Sequence, residues 1–194
     1  MFSTSTILPP LTTPDPQPWK VLASEYIAKE PWFTVRKEKV EMPNGSQIAS
    51  YYISEFPDWV NVIAVTKDQK IVLVKQYRHG IGKVSYELCA GVCDPTDKSP
   101  LESAQRELME ETGYGGGSWQ EWMVICPNPS IQTNYTHCFL ATDVEWLQEP
   151  TLEHTEDITV HLLSKQDVRA LLNNNEILQA LMAAPLWKYL ALFP

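Results

Sequence analysis

The stretch that most constrains the fold is residues 99–113, SPLESAQRELMEETG. Ser99 is a good helix N-cap, Pro100 suits the first helical position, and Glu102 stands where a capping box needs it. Gly113 supplies a left-handed C-cap, so local chemistry predicts a helix over 100–112. Ala104, Leu108 and Thr112 recur at helical spacing as one stripe. Glu107, Glu110 and Glu111 gather on another face, three and four residues apart. Like charges at that spacing repel, so the face calls for a cation. The plain alternative is a solvated acidic face. Clustered carboxylates flanked by backbone oxygens also suit a hard divalent ion such as Mg²⁺ or Mn²⁺. Upstream, Val84, Tyr86 and Leu88 alternate as a strand would, and Gly91 opens a loop through Asp94, Pro95, Thr96 and Asp97. A strand, a glycine loop and an acidic helix let a backbone carbonyl near Ala90 face Glu107 and Glu111.

The remaining chain sets the frame. A length of 194 residues suits one domain with an embellishment at a terminus. Charged residues make up 20% of it, which is globular composition. A net charge of −9 argues against nonspecific binding of nucleic acid or anionic membrane. An anionic ligand then needs local screening by a metal and a few Arg or Lys side chains. Cys89, Cys93, Cys126 and Cys138 lack the paired short spacings of a zinc framework and read as reduced thiols of a cytoplasmic protein. Residues 1–18 hold five prolines and one charge, a flexible Pro-rich tail with no signal-peptide pattern. The apolar stretch 177–193 is broken by Gln179, Pro185 and Lys188, and reads as a buried helix rather than a membrane span.

Residues 19–56 read as strands with a hairpin turn at Asn44-Gly45, placed ahead of a catalytic domain over 57–194. Strands are expected at 59–66, 71–77, 121–126, 135–141 and 158–163. Ser164 and Asp167 form a capping box for a helix over 165–173, and a last helical region follows Asn175, interrupted at Pro185. The sum is a mixed α/β sandwich.

Gly91, Arg106-Glu107-Leu108, Glu110-Glu111 and Gly113-Tyr114 together resemble the signature box of the Nudix hydrolases. Two departures lie in the loop: Asp97 stands where the box has a glutamate, and the spacing from there to Arg106 is one residue longer. Residues 71–78, IVLVKQYR, followed by Glu87-Leu88-Cys89-Ala90-Gly91, resemble the ADP-ribose pyrophosphatase branch, which has proline at the place of Cys89. Pro129, sixteen residues past Gly113, and the acidic loop around Glu156 extend the likeness.

The resemblance implies a Nudix-type α-β-α sandwich with a mixed sheet and N-terminal antiparallel strands. It implies hydrolysis of a nucleoside diphosphate linked to another group, such as ADP-ribose, with Mg²⁺ or Mn²⁺ held by Glu107, Glu110, Glu111 and the Ala90 carbonyl. Arg106 would orient those ligands, and Glu156 would act as the general base, with Glu153 as fallback. Arg78, Glu87, Gly91 and Pro129 would meet the substrate, and Trp32 would stack on adenine or else serve as core or interface. Other substrates in the same class are GDP-mannose, ADP-glucose and NADH. The alternative from another class is a noncatalytic nucleotide-sugar sensor. The intact carboxylate set favours the enzyme, and no added DNA-binding domain is expected after the last helices. The aromatic N-terminal strands need a surface to cover, which suggests a homodimer. In it, Trp32 or Tyr51-Tyr52 would approach the partner's active site.

Overall fold

The computed structural model describes residues 15–194, so the Pro-rich tail expected over 1–18 lies outside the described residues up to position 14. The chain divides after Ser54 into two compact units. The first is a three-stranded sheet in the order β1 (Lys20–Glu30), β2 (Phe33–Glu41), β3 (Gln47–Glu55). Glu30 pairs with Phe33, so Pro31 and Trp32 alone make the first turn, and Trp32 takes a positive φ of 62° to close it. The second turn is the one Asn44-Gly45 calls for. Gly45 sits at φ 83° and its N–H donates to the Met42 carbonyl, while the Asn44 side chain accepts from Ser46 N–H. Trp19 and Tyr51 meet edge to face at 5.8 Å within this unit.

The second unit is built, among the described residues, on an eight-stranded sheet. Its spine runs β11 (Ile158–Leu163), β5 (Ile71–Arg78), β4 (Trp59–Thr66), β10 (Thr136–Trp146), β8 (Tyr114–Gly115). β6 (Lys83–Glu87) pairs with β5, β7 (Cys89–Val92) with β4, and β9 (Ser118–Ile125) with β10. β4 and β10 run parallel; the pairs β5–β11, β4–β7 and β5–β6 are antiparallel. The sheet is mixed.

β4 is buried along nearly its whole length, so alternation decides which layer each residue meets. Val60, Val62 and Ala64 pack with Ala104 and Leu108 of α1 (Pro100–Thr112). Ile63 and Val65 pack instead with Val168 and Leu172 of α2 (Lys165–Asn173) and with Leu186 and Tyr189 of α3 (Ala180–Leu192). Helices on both faces of a mixed sheet make the α-β-α sandwich expected from the sequence. No helix among the described residues is long and apolar enough to cross a membrane.

Four local expectations change. Gly91 does not open a loop: it lies inside β7, paired with Val60, because the strand ladder continues to Val92. Pro185 does not interrupt the last helix. A proline in a helix leaves the carbonyl four residues back without its donor, here Leu181. The Asn61 side chain supplies one, its Nδ2 donating to the Leu181 carbonyl at 2.8 Å, and α3 runs through. Glu102 reaches back to the Lys98 N–H rather than to the N-cap, while Ser99 Oγ accepts from Glu102 N–H. Strand β10 runs five residues past the expected end, with a bulge between Thr142 and Val144 where Asp143 takes φ 59°.

Candidate active site

α1 sets its carboxylates against β7. Glu111 is buried, 4% exposed, and its Oε2 accepts from the Ala90 N–H at 3.2 Å. Glu107 lies over Gly91, and a Cβ built at that position would land inside the Glu107 carboxyl. A side chain there would push the Glu107 carboxyl from its present place, so glycine serves by its small size rather than by backbone freedom. Burial pushes Glu111 up to about 7, opposed by hydrogen bonds from the Cys89 thiol and Ala90 amide and reinforced by the charges of Glu107 and Glu156. Burial likewise raises Glu107, against the pull of Arg106.

Arg106 is the cation this face calls for. Its NH1 donates to Glu107 at 2.9 Å and to Glu110 at 2.9 Å, while Nε and NH2 each reach Asp97 Oδ2 at 3.2 Å. Burial works against its charge, but Glu107, Asp97 and Glu110 prevail and its pKa is raised. Asp97 also accepts from Ser103 Oγ at 2.8 Å, so a side chain one methylene shorter than glutamate still ties the loop to the helix. The sequence showed Asp97 only as a departure; its service to Arg106 became visible once the loop was folded. One guanidinium against four carboxylates, counting Glu111 nearby, leaves negative charge in excess.

The connection from β10 to β11 is fastened to the same helix. Leu147 N–H donates to the Gly113 carbonyl at 2.8 Å and Thr151 N–H to the Glu110 carbonyl at 2.8 Å. Beyond these anchors, Glu156 and Glu153 close a small turn in which Glu153 N–H donates to the Glu156 carboxylate at 2.8 Å. Glu156 is thus brought near enough to raise both Glu107 and Glu111, whereas Glu153 is exposed.

A cavity of about 980 Å³ lies beside this cluster, with Ala90, Gly91, Arg78 and Glu87 in its lining. Arg78 of β5 and Glu87 of β6 join through their side chains, although the register sets Arg78 opposite Lys83 and Glu87 opposite Val74. Nε and NH2 of Arg78 donate to the two Glu87 oxygens at 2.9 Å and 2.5 Å, a two-pronged clasp. Glu87 is 1% exposed and also accepts from Gln76 Nε2 and Ser85 Oγ at 3.4 Å. Its oxygens are therefore largely spent on protein partners. Pro129 occupies an exposed turn and is not in the cavity lining. Trp32 belongs to the N-terminal unit, 69% exposed.

The donor set answers the question of a metal by its chemistry. Hard carboxylate oxygens, two of them held up in pKa by burial, with net negative charge, suit a hard divalent cation. Among the described residues no three His, Cys, Asp or Glu side chains converge on one point. Glu107 and Glu110 are turned onto Arg106, and Glu111 onto the Ala90 amide.

Residues 19–54 match the model of the nucleoside diphosphate sugar hydrolase N-terminal domain, and residues 56–184 match that of the NUDIX domain. The chain is 32% identical over 167 residues to the ADP-ribose pyrophosphatase of Bacillus subtilis, an alignment covering 83% of this chain and 89% of that protein. It is 29% identical over 143 residues to the ADP-ribose pyrophosphatase of Mycobacterium tuberculosis, covering 73% and 69%. A crystal structure of an ADP compounds hydrolase matches with a TM-score of 0.80 at 22% identity, over 93% of this chain and 96% of that one, which shows a common fold. With the acidic helix, the glycine beneath it and a NUDIX match across most of its length, the chain belongs to the Nudix hydrolase family.

Proposed function

We propose that the chain hydrolyses the diphosphate bond of ADP-ribose or a related nucleoside diphosphate sugar, giving a nucleoside monophosphate and a sugar phosphate. The observation that carries this reading is the excess of carboxylate on α1 beside a large cavity whose wall holds Arg78. The names of the Bacillus subtilis and Mycobacterium tuberculosis relatives support the same bond as the target.

Nudix hydrolases generally use divalent metals, and Glu107, Glu110, Glu111 and the Ala90 carbonyl would hold Mg²⁺ or Mn²⁺ here. Such an ion screens the diphosphate and makes a water more acidic. The chain's own groups do the rest. Arg106 orients Glu107 and Glu110, and the missing side chain at Gly91 leaves room for Glu107. Arg78, fixed by Glu87 through Nε and NH2, offers its remaining nitrogen to a phosphate oxygen. Glu156 takes the proton of the attacking water, which requires its carboxylate to leave the Glu153 amide. Trp32 serves as a stacking surface for adenine. The N-terminal unit, with Tyr26, Ile27, Trp32 and Phe33 exposed, joins two copies into a homodimer. Light scattering giving a monomer of 22.1 kDa with full activity would remove that assembly.

The test is a panel of ADP-ribose, ADP-glucose, GDP-mannose and NADH, each with Mg²⁺, Mn²⁺ or EDTA, read by phosphate release after phosphatase coupling. Metal-dependent turnover of ADP-ribose is expected, falling about 10²-fold in Glu156→Gln. Damage in Glu153→Gln with Glu156→Gln silent would move the base to Glu153. Binding without turnover anywhere in the panel would replace the enzyme with a sensor.

A further inference from the structure

Asn61 stands alone as an amide in the apolar run of β4, between Val60 and Val62, and Thr136 opens the neighbouring strand β10. Both residues line the 980 Å³ cavity, yet both are buried, at 0% and 2% exposure. Asn61 Oδ1 and Thr136 Oγ1 have no hydrogen-bond partner among the described residues. A buried polar atom left unpaired costs free energy, so two of them in one cavity call for a partner from outside the chain.

The Asn61 orientation is not arbitrary. Pro185 leaves the Leu181 carbonyl without a helical donor, and Asn61 Nδ2 fills that vacancy at 2.8 Å. Turning the amide over would set oxygen against oxygen. The proline in α3 thereby fixes Oδ1 as the free end of the amide. The pair then consists of one obligate acceptor and one hydroxyl that donates or accepts. Trp59, Ile81, Leu178 and Met182 give the cavity apolar lining beside polar Gln179 and His79.

We infer that Asn61 Oδ1 and Thr136 Oγ1, set diagonally across β4 and β10, form a specificity subsite for a donor and an acceptor on the uncharged end of the substrate. This rests on the diphosphatase reading above. The chemistry is shared by two parts of such a ligand: neighbouring sugar hydroxyls, or the amino group and ring nitrogen at a base edge. Neither protein atom is open to water as the chain stands, so a ligand reaches them only when the lining side chains shift. Met182 is unbranched, lines the cavity, and places its sulfur 3.9 Å from Asn61 Nδ2. Asn134, whose amide is also unpartnered, is not in the cavity lining and takes no part.

The experiment compares wild type, Thr136→Val and Thr136→Ser by steady-state kinetics and thermal melting, on ADP-ribose, ADP-glucose and inosine diphosphate ribose. Because the Thr136 hydroxyl has no partner among the described residues, Thr136→Val should melt at or above the wild-type temperature. Its KM for the preferred substrate should rise about tenfold with kcat little changed, and Thr136→Ser should restore it. A penalty that disappears with the inosine compound assigns the subsite to the base; one that disappears with the glucose compound assigns it to the sugar. Unchanged KM throughout means the two atoms hold water only and overturns the inference. A lowered melting temperature in Thr136→Val overturns it as well, by showing a structural role. Wild type inactive on all three substrates defeats the diphosphatase reading instead.

Discussion

Glu87 and Glu111 are both carboxylates withdrawn from water, at 1% and 4% exposure, and the fold treats them in opposite ways. Glu87 is answered in full by its own chain, gripped by two nitrogens of Arg78 and touched by Gln76 and Ser85. Glu111 receives an amide N–H from Ala90 and a thiol from Cys89, and among the described residues no guanidinium hydrogen-bonds it; Arg78 acts on it only through its charge. Arg106, one turn away, is already occupied by Asp97, Glu107 and Glu110. A buried carboxylate with its cation built in serves the protein's own architecture. Under the proposed function, one without it takes a cation from outside. The lesson is that charge partners, rather than burial, distinguish the two acids.

Removing the cation from the first site is the hardest way to break this contrast. Arg78→Gln would leave Glu87 buried and unpaired, costing about 3 kcal/mol of stability, the lower end because Arg78 itself is 44% exposed. Denaturant titration measures it. A loss below 1 kcal/mol would mean that burial of Glu87 does not depend on Arg78.

The second test acts on the other acid. Glu111→Gln should lower turnover by ~10²-fold, about 2.7 kcal/mol of barrier, while leaving the metal-free protein folded and no less stable. Near-normal turnover in a folded Glu111→Gln protein would erase the distinction between the two sites.

The third, smaller effect is one of pH. The folded Glu111 pKa, about 7, stands above the ordinary value of 4.5. The unfolded chain therefore loses this proton first, and stability from this group is present below pH 4.5 and lost as pH rises through 7. In EDTA, wild type should lose roughly 2 kcal/mol relative to Glu111→Gln between pH 5 and pH 8. Mg²⁺ should restore more stability at pH 8 than at pH 5. Parallel pH profiles for the two proteins would show that Glu111 is solvated after all.

What the sequence determined by itself is what short-range geometry governs. Ser99, Pro100 and Gly113 bound α1 within their own reach, and Ser164 with Asp167 start α2 in the same way. The Asn44-Gly45 turn formed where the pair requires it, because a positive φ is a property of the residue. The carboxylate face of α1 followed from helical spacing alone.

Tertiary structure decided what depended on neighbours distant in the chain. Gly91 became strand because Val60 offered it a ladder, and Pro185 stayed within a helix because Asn61, 124 positions earlier in the numbering, took over the stranded carbonyl. Asp97 could look like a defect in the box until Arg106 and Ser103 were seen to share it. One hint was legible: an asparagine amid the apolar residues of β4 is costly unless something bonds it. Which carbonyl it bonds, and which of its atoms is left over, is a question of which strand and helix meet. Spacing along one chain cannot encode that, because hydrogen-bond partners are set by distance in space after the layers have packed.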